Sequence, residues 1–223
     1  MTEGFHPKPR IGFPSALALG VEGRDEVVEL DLAEELTVQE LFDRLCGDQQ
    51  PGLTINSVRL LPEGFGKAQL LRTDYIITIP ESADVAAADQ AIAELKSQDT
   101  LSFERKKKIV TVDASQIPAI EIVGQELHLS LAASDSASLR PGDVLDLIGA
   151  SRWIEDGALI SRTEVILQKE FETDDPALIA SVQSEVSPPP ISPAQHPQED
   201  SNPTTDQGST TDQGADVGDE PET

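Results

Sequence analysis

Apolar and polar residues along residues 75–167 follow strand and helix periods that predict six elements. A β-branched and aromatic run ending before Pro80 is typical of a strand. Apolar residues then recur at spacings of three and four, which places them on one face of a helix. The predicted elements are strand 75–79, helix 85–95, a strand region 101–112 divided by the basic cluster 105–108, strand 125–132, helix 141–148 and strand 160–167.

The order strand, helix, strand, strand, helix, strand is that of the split βαβ, or ferredoxin-like, plan. In this plan two helices cover one face of an antiparallel sheet. Residues 113–124 lie between the two middle strands, and the sequence leaves their form open. We therefore predict an α+β unit over residues 74–169.

The first part of the chain follows a shorter version of the same pattern. Apolar residues alternate with acids over residues 26–32, which indicates a half-buried strand. Thr37 and Glu40 have the spacing of a capping box, and Gly47 ends the helix that they begin. With strands in 10–21 and 53–61, the order is strand, strand, helix, strand.

We therefore predict tandem ferredoxin-like units, the first of which lacks its initial strand and helix. The boundaries are 1–62 for the incomplete first unit, 63–73 for a linker, 74–169 for the second unit and 170–223 for a tail. Strands that lose a neighbour leave hydrogen-bonding groups without partners. Either another polypeptide supplies the missing piece, or Met1 is not the natural start; we expect a truncated product or a misplaced start codon.

The charge of the chain is strongly negative and concentrated towards its end. The formal net charge is -25, and residues 171–223 hold 12 acids and no Lys or Arg. This segment is rich in Pro, Ser, Thr and Gln and contains the repeat TTDQG at 204–208 and 210–214. Such a composition buries too little apolar surface to offset its ordering entropy, so we predict a disordered acidic C-terminal tail.

Composition also excludes several classes of protein. A single cysteine, Cys46, rules out an internal disulfide and a cysteine-ligated cluster built from this chain alone, and three scattered histidines indicate no metal site. No apolar run reaches the ~18 residues of a membrane helix, and no signal peptide is visible. A cytoplasmic protein that binds no membrane is the expectation.

The sharpest local feature is a strip of alternating cations and prolines close to the N-terminus. Each proline fixes its own φ and favours an extended residue before it, so the cations are held in a stiff strip. Such a strip suits a phosphate, a carboxylate or an RNA backbone. Solvated cations on a rigid lead-in to a strand are the alternative. The candidate binding residues are Gly4, Phe5, His6, Lys8 and Arg10.

Two further groups of cations are candidate sites. Arg105, Lys106, Lys107 and Lys108 form a basic run near a predicted hairpin, where they contact phosphate or only solubilise a loop. Arg162 lies within a predicted strand. It would need a partner if it faced inwards, and it faces solvent beside Glu164 in the alternative interpretation. No catalytic residue is predicted.

The segment GFHPKPRIGF resembles the opening of a bacterial domain family of unknown function. That family occurs fused to radical SAM proteins or is encoded beside them. The matching positions are Gly4, Phe5, His6, Pro7, Pro9, Arg10, Ile11, Phe13, Gly20, Val21 and Glu22, with supporting matches at Leu139–Leu145 and at Arg162, Thr163 and Val165. Family members have roughly 30 more residues before this motif, enough for a strand and a helix.

The resemblance implies a non-catalytic accessory or substrate-presenting domain that acts with a radical SAM protein. It implies no cofactor in this chain: the iron–sulfur cluster and SAM would lie on the partner. The alternative is an RNA-binding or RNA-processing protein that uses a ferredoxin-like sheet and the strip His6–Arg10. An aromatic content of only 4% is low for a sheet that stacks bases.

Overall fold

The computed structural model describes residues 10–48, 50–135 and 137–182. All of these residues belong to one compact unit, Met1–Gln183. Their helices and strands have the following bounds, in chain order: β1 Arg10–Gly12, β2 Val21–Gly23, β3 Glu29–Asp31, α1 Val38–Gly47, β4 Ser57–Arg59, β5 Leu70–Thr78, α2 Val85–Leu95, β6 Thr100–Arg105, β7 Lys108–Asp113, β8 Ala119–Val123, β9 Glu126–Ala132, α3 Pro141–Leu147, β10 Ile160–Leu167 and β11 Ile179–Ser181.

A five-stranded sheet in the order β2-β10-β5-β9-β8 is the centre of the molecule. The last four strands are antiparallel to their neighbours, and β2 joins the β10 edge in parallel. Apolar residues of β5, β8 and β9 alternate towards one face and meet the apolar stripes of α2 and α3 there. The chain therefore forms a mixed α/β fold with three α-helices in its described part.

Local sequence explains where α2 and α3 begin. Asp84 caps α2, because its carboxylate accepts a hydrogen bond from Ala87 N at 3.0 Å. Pro141 occupies the first turn of α3, where a missing N–H costs nothing, and Asp143 accepts from Arg140 N at 2.8 Å. Both helices thus satisfy part of their free N-terminal donors, and both helix predictions are confirmed.

The middle of the second predicted unit differs from the expectation. Residues 100–113 form a separate hairpin, β6–β7, rather than a strand of the main sheet. The segment whose form was open, 113–124, contains a 3-10 turn at Ala114–Gln116 and then β8, which pairs with β9. Leu101, Phe103 and Val112 bring the hairpin into the same core, so the hairpin covers apolar surface.

The first predicted unit does not form a sheet of its own among the described residues. Its strands are shared among three sheets: β1 pairs with β3, β2 joins β10, and β4 pairs with β11. The tandem ferredoxin-like arrangement is therefore not confirmed. The Thr37–Glu40 capping box of α1 is confirmed, with Thr37 Oγ1 accepting from Glu40 N and Glu40 accepting from Thr37 N.

Ordered structure continues beyond residue 170, where the predicted tail begins. β11 pairs with β4, and the Phe65 and Phe171 rings meet edge to face with centroids 5.6 Å apart. Residues 183–223, which hold most of the predicted tail, lie outside the described residues. None of the helices in the described ranges has both the length and the apolar character needed to cross a bilayer.

Candidate functional site

The predicted basic strip enters the structure only at its last residue. Gly4, Phe5, His6 and Lys8 lie outside the described residues, and their binding roles stay predictions. Arg10 is the first residue of β1, is exposed, and stands opposite Asp31 of β3 with 3.9 Å between the charged groups. The strip therefore leads directly into the β1–β3 ladder.

The β1–β3 ladder carries exposed apolar side chains. Ile11 and Leu30 stand directly opposite each other across the ladder and are 50% and 38% exposed. Exposed apolar residues flank both strands. We call this set the outer apolar face: Ile11, Phe13, Val28, Leu30 and Leu32. Burial of the apolar side of residues 26–32, which the alternation predicted, is wrong for this strand.

The polar side of the ladder explains why its apolar side is bare. The Glu29 carboxylate accepts a hydrogen bond from Ala68 N at 2.7 Å, and this ties β3 to the segment before β5. Side chains alternate across a strand, so the neighbouring Leu30 points the other way. The same part of the chain also exposes Leu17 and Leu19. Apolar surface clustered in this way is a common mark of an interaction site.

Arg162 is the buried tie between β10 and the residues that follow β1. Its side chain is 1% exposed and its guanidinium forms a two-point ion pair with Glu26, including Nε to Oε1 at 2.7 Å. It also donates to Ser15 Oγ at 3.0 Å, Ser15 O at 3.1 Å and Ala16 O at 3.2 Å. The inward, paired orientation is the one the structure adopts, and the solvent-facing orientation beside Glu164 is wrong.

The electrostatics of this tie favour a permanent charge on the arginine. Burial by itself lowers the pKa of Arg162, but hydrogen bonding and the charge of Glu26, with a contribution from Tyr75, raise that pKa above its ordinary value. A fully bonded guanidinium has little capacity left for a ligand. A ligand-binding role for Arg162 stays a prediction, while its structural contacts are direct.

A second tie lies on the other face of β10. Ser161 Oγ donates to Glu22 of β2, and Arg24 donates to the same carboxylate at 3.1 Å. The hydrogen bond from Ser161, then the hydrogen bond and charge of Arg24, lower the pKa of Glu22. Together with the β2–β10 ladder, these contacts fix residues 21–26 against the main sheet.

The open face of the main sheet is acidic. Cross-strand register places Asp74 opposite Ser130 and Glu164, and His128 opposite Glu121. Asp74 Oδ1 is buried without a hydrogen bond although Arg72 Nε lies 3.3 Å away, while Asp74 Oδ2 accepts from Arg72 Nη2 at 3.4 Å. A sheet that binds RNA presents cations and aromatic rings, whereas Tyr75 faces the buried side here.

In the basic run 105–108, the arginine is bonded to other residues of the protein, whereas the three lysines form no ion pair in the described part of the chain. Arg105 is held by the Asp143 carboxylate through two of its nitrogens, donates to Ser138 O at 2.9 Å and stacks on Phe103. Lys106 and Lys107 form the turn of the β6–β7 hairpin with φ of 51° and 63°. The lysines are exposed, and no ion pair involves them in the part of the chain that the structure describes. Phosphate contact by all four residues stays a prediction.

Sequence reasoning missed the partners of Arg162 and the exposure of the β1–β3 ladder. Glu26 lies 136 residues from Arg162, and no local pattern links the two. The described residues also contain no group of three His, Cys, Asp or Glu side chains that could hold a metal ion. The arrangement thus offers an apolar surface and a basic turn.

Comparison with known proteins places the chain in a family. Neither curated proteins nor solved structures gave a match. The matching family model covers residues 1–141, which include the predicted strip, the outer apolar face and the Lys106–Lys108 turn. Because this match spans well over half of the 223 residues, the chain belongs to the bacterial family described as "Uncharacterized protein conserved in bacteria (DUF2344)".

Proposed function

We propose that this protein is a non-catalytic accessory domain that docks onto a partner protein through the outer apolar face. The exposed pair Ile11 and Leu30, on a ladder whose polar side is bonded to the body of the molecule, carries the proposal. Two three-residue strands are too small to be stable in water with a bare apolar face. A partner surface that covers this face removes apolar area from water and stabilises the ladder.

The proposed scaffold for this docking is a ferredoxin-like unit over residues 70–167. The order β10-β5-β9-β8, with antiparallel neighbours and helices after β5 and β9, supports this assignment. In this proposal the β6–β7 hairpin is an insertion between α2 and β8. The residues before β5 are then an incomplete companion unit whose strands borrow partners from elsewhere in the chain.

The proposed partner is a radical SAM protein, and this part rests on the resemblance of the GFHPKPRIGF segment. On this proposal the iron–sulfur cluster and SAM are bound by the partner, and Gly4, Phe5, His6, Lys8 and Arg10 also take part in partner binding. A cytoplasmic location fits both this partner and the single cysteine, Cys46, which is free.

Affinity capture from cells with matched variants tests the proposal. The chain is expected to enrich a protein with a three-cysteine radical SAM motif, and Ile11→Ser with Leu30→Ser should abolish that enrichment. The control is Ile109→Ser with Val123→Ser, which removes two apolar residues from β7 and β8 that are more exposed than Ile11 and Leu30. Equal enrichment by both double variants, or none by the unaltered chain, contradicts the proposal.

RNA binding is the second candidate, and the three free lysines at the β6–β7 turn favour it. The acidic open face of the sheet disfavours it, because phosphate and Asp74, Glu121 and Glu164 repel each other. Binding of single-stranded RNA that weakens steeply with salt and is lost on changing Lys106, Lys107 and Lys108 to Ser would support this candidate. Absence of binding at low salt would exclude it.

A further inference from the structure

We infer that the partner adds an extended strand to the free edge of β3, and that this strand alternates apolar residues with Lys or Arg. The inference rests on the proposed function and specifies the chemistry of the partner. Within the described ranges β3 pairs only with β1, so one side of Glu29–Asp31 leaves its backbone groups unpaired. An extended peptide satisfies such an edge by strand addition.

The two edges of the ladder differ, and only β3 is open to an added strand. β1 lies between Pro9 and Pro14, and proline has no N–H to donate and is typical of protected edges. No proline or glycine interrupts residues 25–35. The alternation of Val28, Leu30 and Leu32 with acids also gives an added strand a definite register.

The negative charge around β3 determines which kind of partner strand can pair with it. Residues 10–35 contain seven acids and two arginines, and the acids of β3 itself are Glu29 and Asp31. In a ladder, like charges directly opposite each other are destabilising and opposite charges are favourable. A second copy of this chain would place acids against acids, and both copies carry a net charge of -25. A different protein with basic residues at alternate positions is therefore the occupant that fits.

The apolar positions of that strand follow from the same geometry. The added strand lies beside Leu30, so its apolar side chains extend the outer apolar face, while its cations reach Glu29 and Asp31 on the other side. Asp31 is exposed, and its contact with Arg10 is long at 3.9 Å, so its carboxylate is accessible to a second cation.

Two blocked synthetic peptides test the inference on the full-length, 15N-labelled chain. One alternates valine with lysine over about nine residues, a typical strand length, and the other alternates valine with glutamate. Amide shifts of residues 28–32 should move with both peptides, and the lysine peptide should bind about tenfold more tightly than the glutamate peptide. Slower hydrogen–deuterium exchange of the β3 backbone amides on binding would show that they pair with the peptide backbone.

A charge reversal provides the decisive comparison. Asp31→Lys keeps the apolar residues and should narrow or reverse the preference between the two peptides. Glu121→Lys makes the same change on β8, another edge strand of the described fold, and should leave the preference unchanged. Three results would each overturn the inference. They are equal binding of both peptides, amide shifts confined to β8, and sedimentation of the free chain as a dimer that Leu30→Ser dissociates.

The outcomes separate this inference from the proposed function. Loss of partner capture by the Ile11 and Leu30 variant, without any binding of the lysine peptide, would leave docking in place and overturn strand addition. Binding of the lysine peptide to β3, without capture of a radical SAM protein, would support strand addition and contradict the proposed partner.

Discussion

Arg162→Met is expected to destabilise the protein more than any surface substitution, because Arg162 makes the most side-chain hydrogen bonds of the buried residues that the structure describes. Methionine keeps the apolar stem and removes every donor. The substitution deletes the ion pair with Glu26 and the hydrogen bonds to Ser15 Oγ, Ser15 O and Ala16 O. The residues that it frees belong to the segment between β1 and β3.

The size of the effect follows from what is left behind. Removal of one partner of a buried ion pair costs about 3–5 kcal/mol, because the other charge stays buried. Glu26 is 28% exposed and can turn towards water, which places the expected loss near the lower end, about 3 kcal/mol. With a urea dependence of about 2 kcal/mol/M, the unfolding midpoint should fall by about 1.5 M.

Urea unfolding followed by circular dichroism measures this midpoint. The matched control is Arg152→Met, since Arg152 is exposed and in no ion pair of the described fold; it should cost less than about 0.5 kcal/mol. Adding Glu26→Gln completes a double-mutant cycle with an expected coupling of about 1–3 kcal/mol. A midpoint shift for Arg162→Met no larger than that of the control would refute the structural role assigned to this arginine.

Three further predictions concern the helix cap, the basic turn and the extent of the folding unit. Hydrogen bonds from Thr37 lower the pKa of Glu40. The stability that this carboxylate contributes is therefore present above the ordinary glutamate pKa and is lost as pH falls through the lowered pKa. Glu40→Gln should remove this part of the pH dependence of the unfolding midpoint, measured from neutral pH to about pH 2. Replacing Lys106-Lys107 by Asn-Gly should raise the free energy of unfolding by about 1 kcal/mol, because both residues adopt a left-handed φ that Asn and Gly tolerate. A fragment limited to residues 1–141 should fail to fold cooperatively in thermal melts while 1–183 folds, because β10 lies inside the main sheet between β5 and β2.

Each of these has a contradicting result. A Glu40→Gln curve parallel to that of the unaltered protein at every pH would remove the role assigned to the carboxylate charge. A turn variant no more stable than the original would mean that the two lysines are not strained. A cooperative melt of fragment 1–141 would show that β10 is dispensable.

Elements with a local cause could be predicted from the sequence. The capping box at Thr37 and Glu40 and the proline at position 141 act within one turn, so the starts of α1 and α3 are written locally. A short β-branched and aromatic run likewise indicated β5, and alternating residues indicated β9 and β10. Short strands were missed. β8 begins directly after Ile117-Pro118, and β11 has only three residues. Neither strand is long enough to show a recognisable alternation of apolar and polar residues.

For the candidate sites, the sequence indicated which residues carry charge but not what they contact. The sequence showed the run 105–108 as a cluster of cations. It did not show that Arg105 forms an ion pair with Asp143, which is 38 residues away. The alternation over 26–32 correctly indicated a strand at β3. Whether the apolar side of β3 is covered depends on the position of Ala68, whose N–H donates to the Glu29 carboxylate. No pattern in residues 26–32 encodes that contact.

By itself the sequence determined the helix starts, the strand periods, the acidic charge and the position of the basic turn, because these depend on neighbours within a few residues. The tertiary structure alone decided that the β6–β7 hairpin does not join the main sheet, that Arg162 pairs with Glu26, and that the apolar side of the β1–β3 ladder faces outwards. Strand partners and ion pairs across more than 100 residues arise from whichever surfaces the whole chain can bury together, and period and composition do not contain that choice.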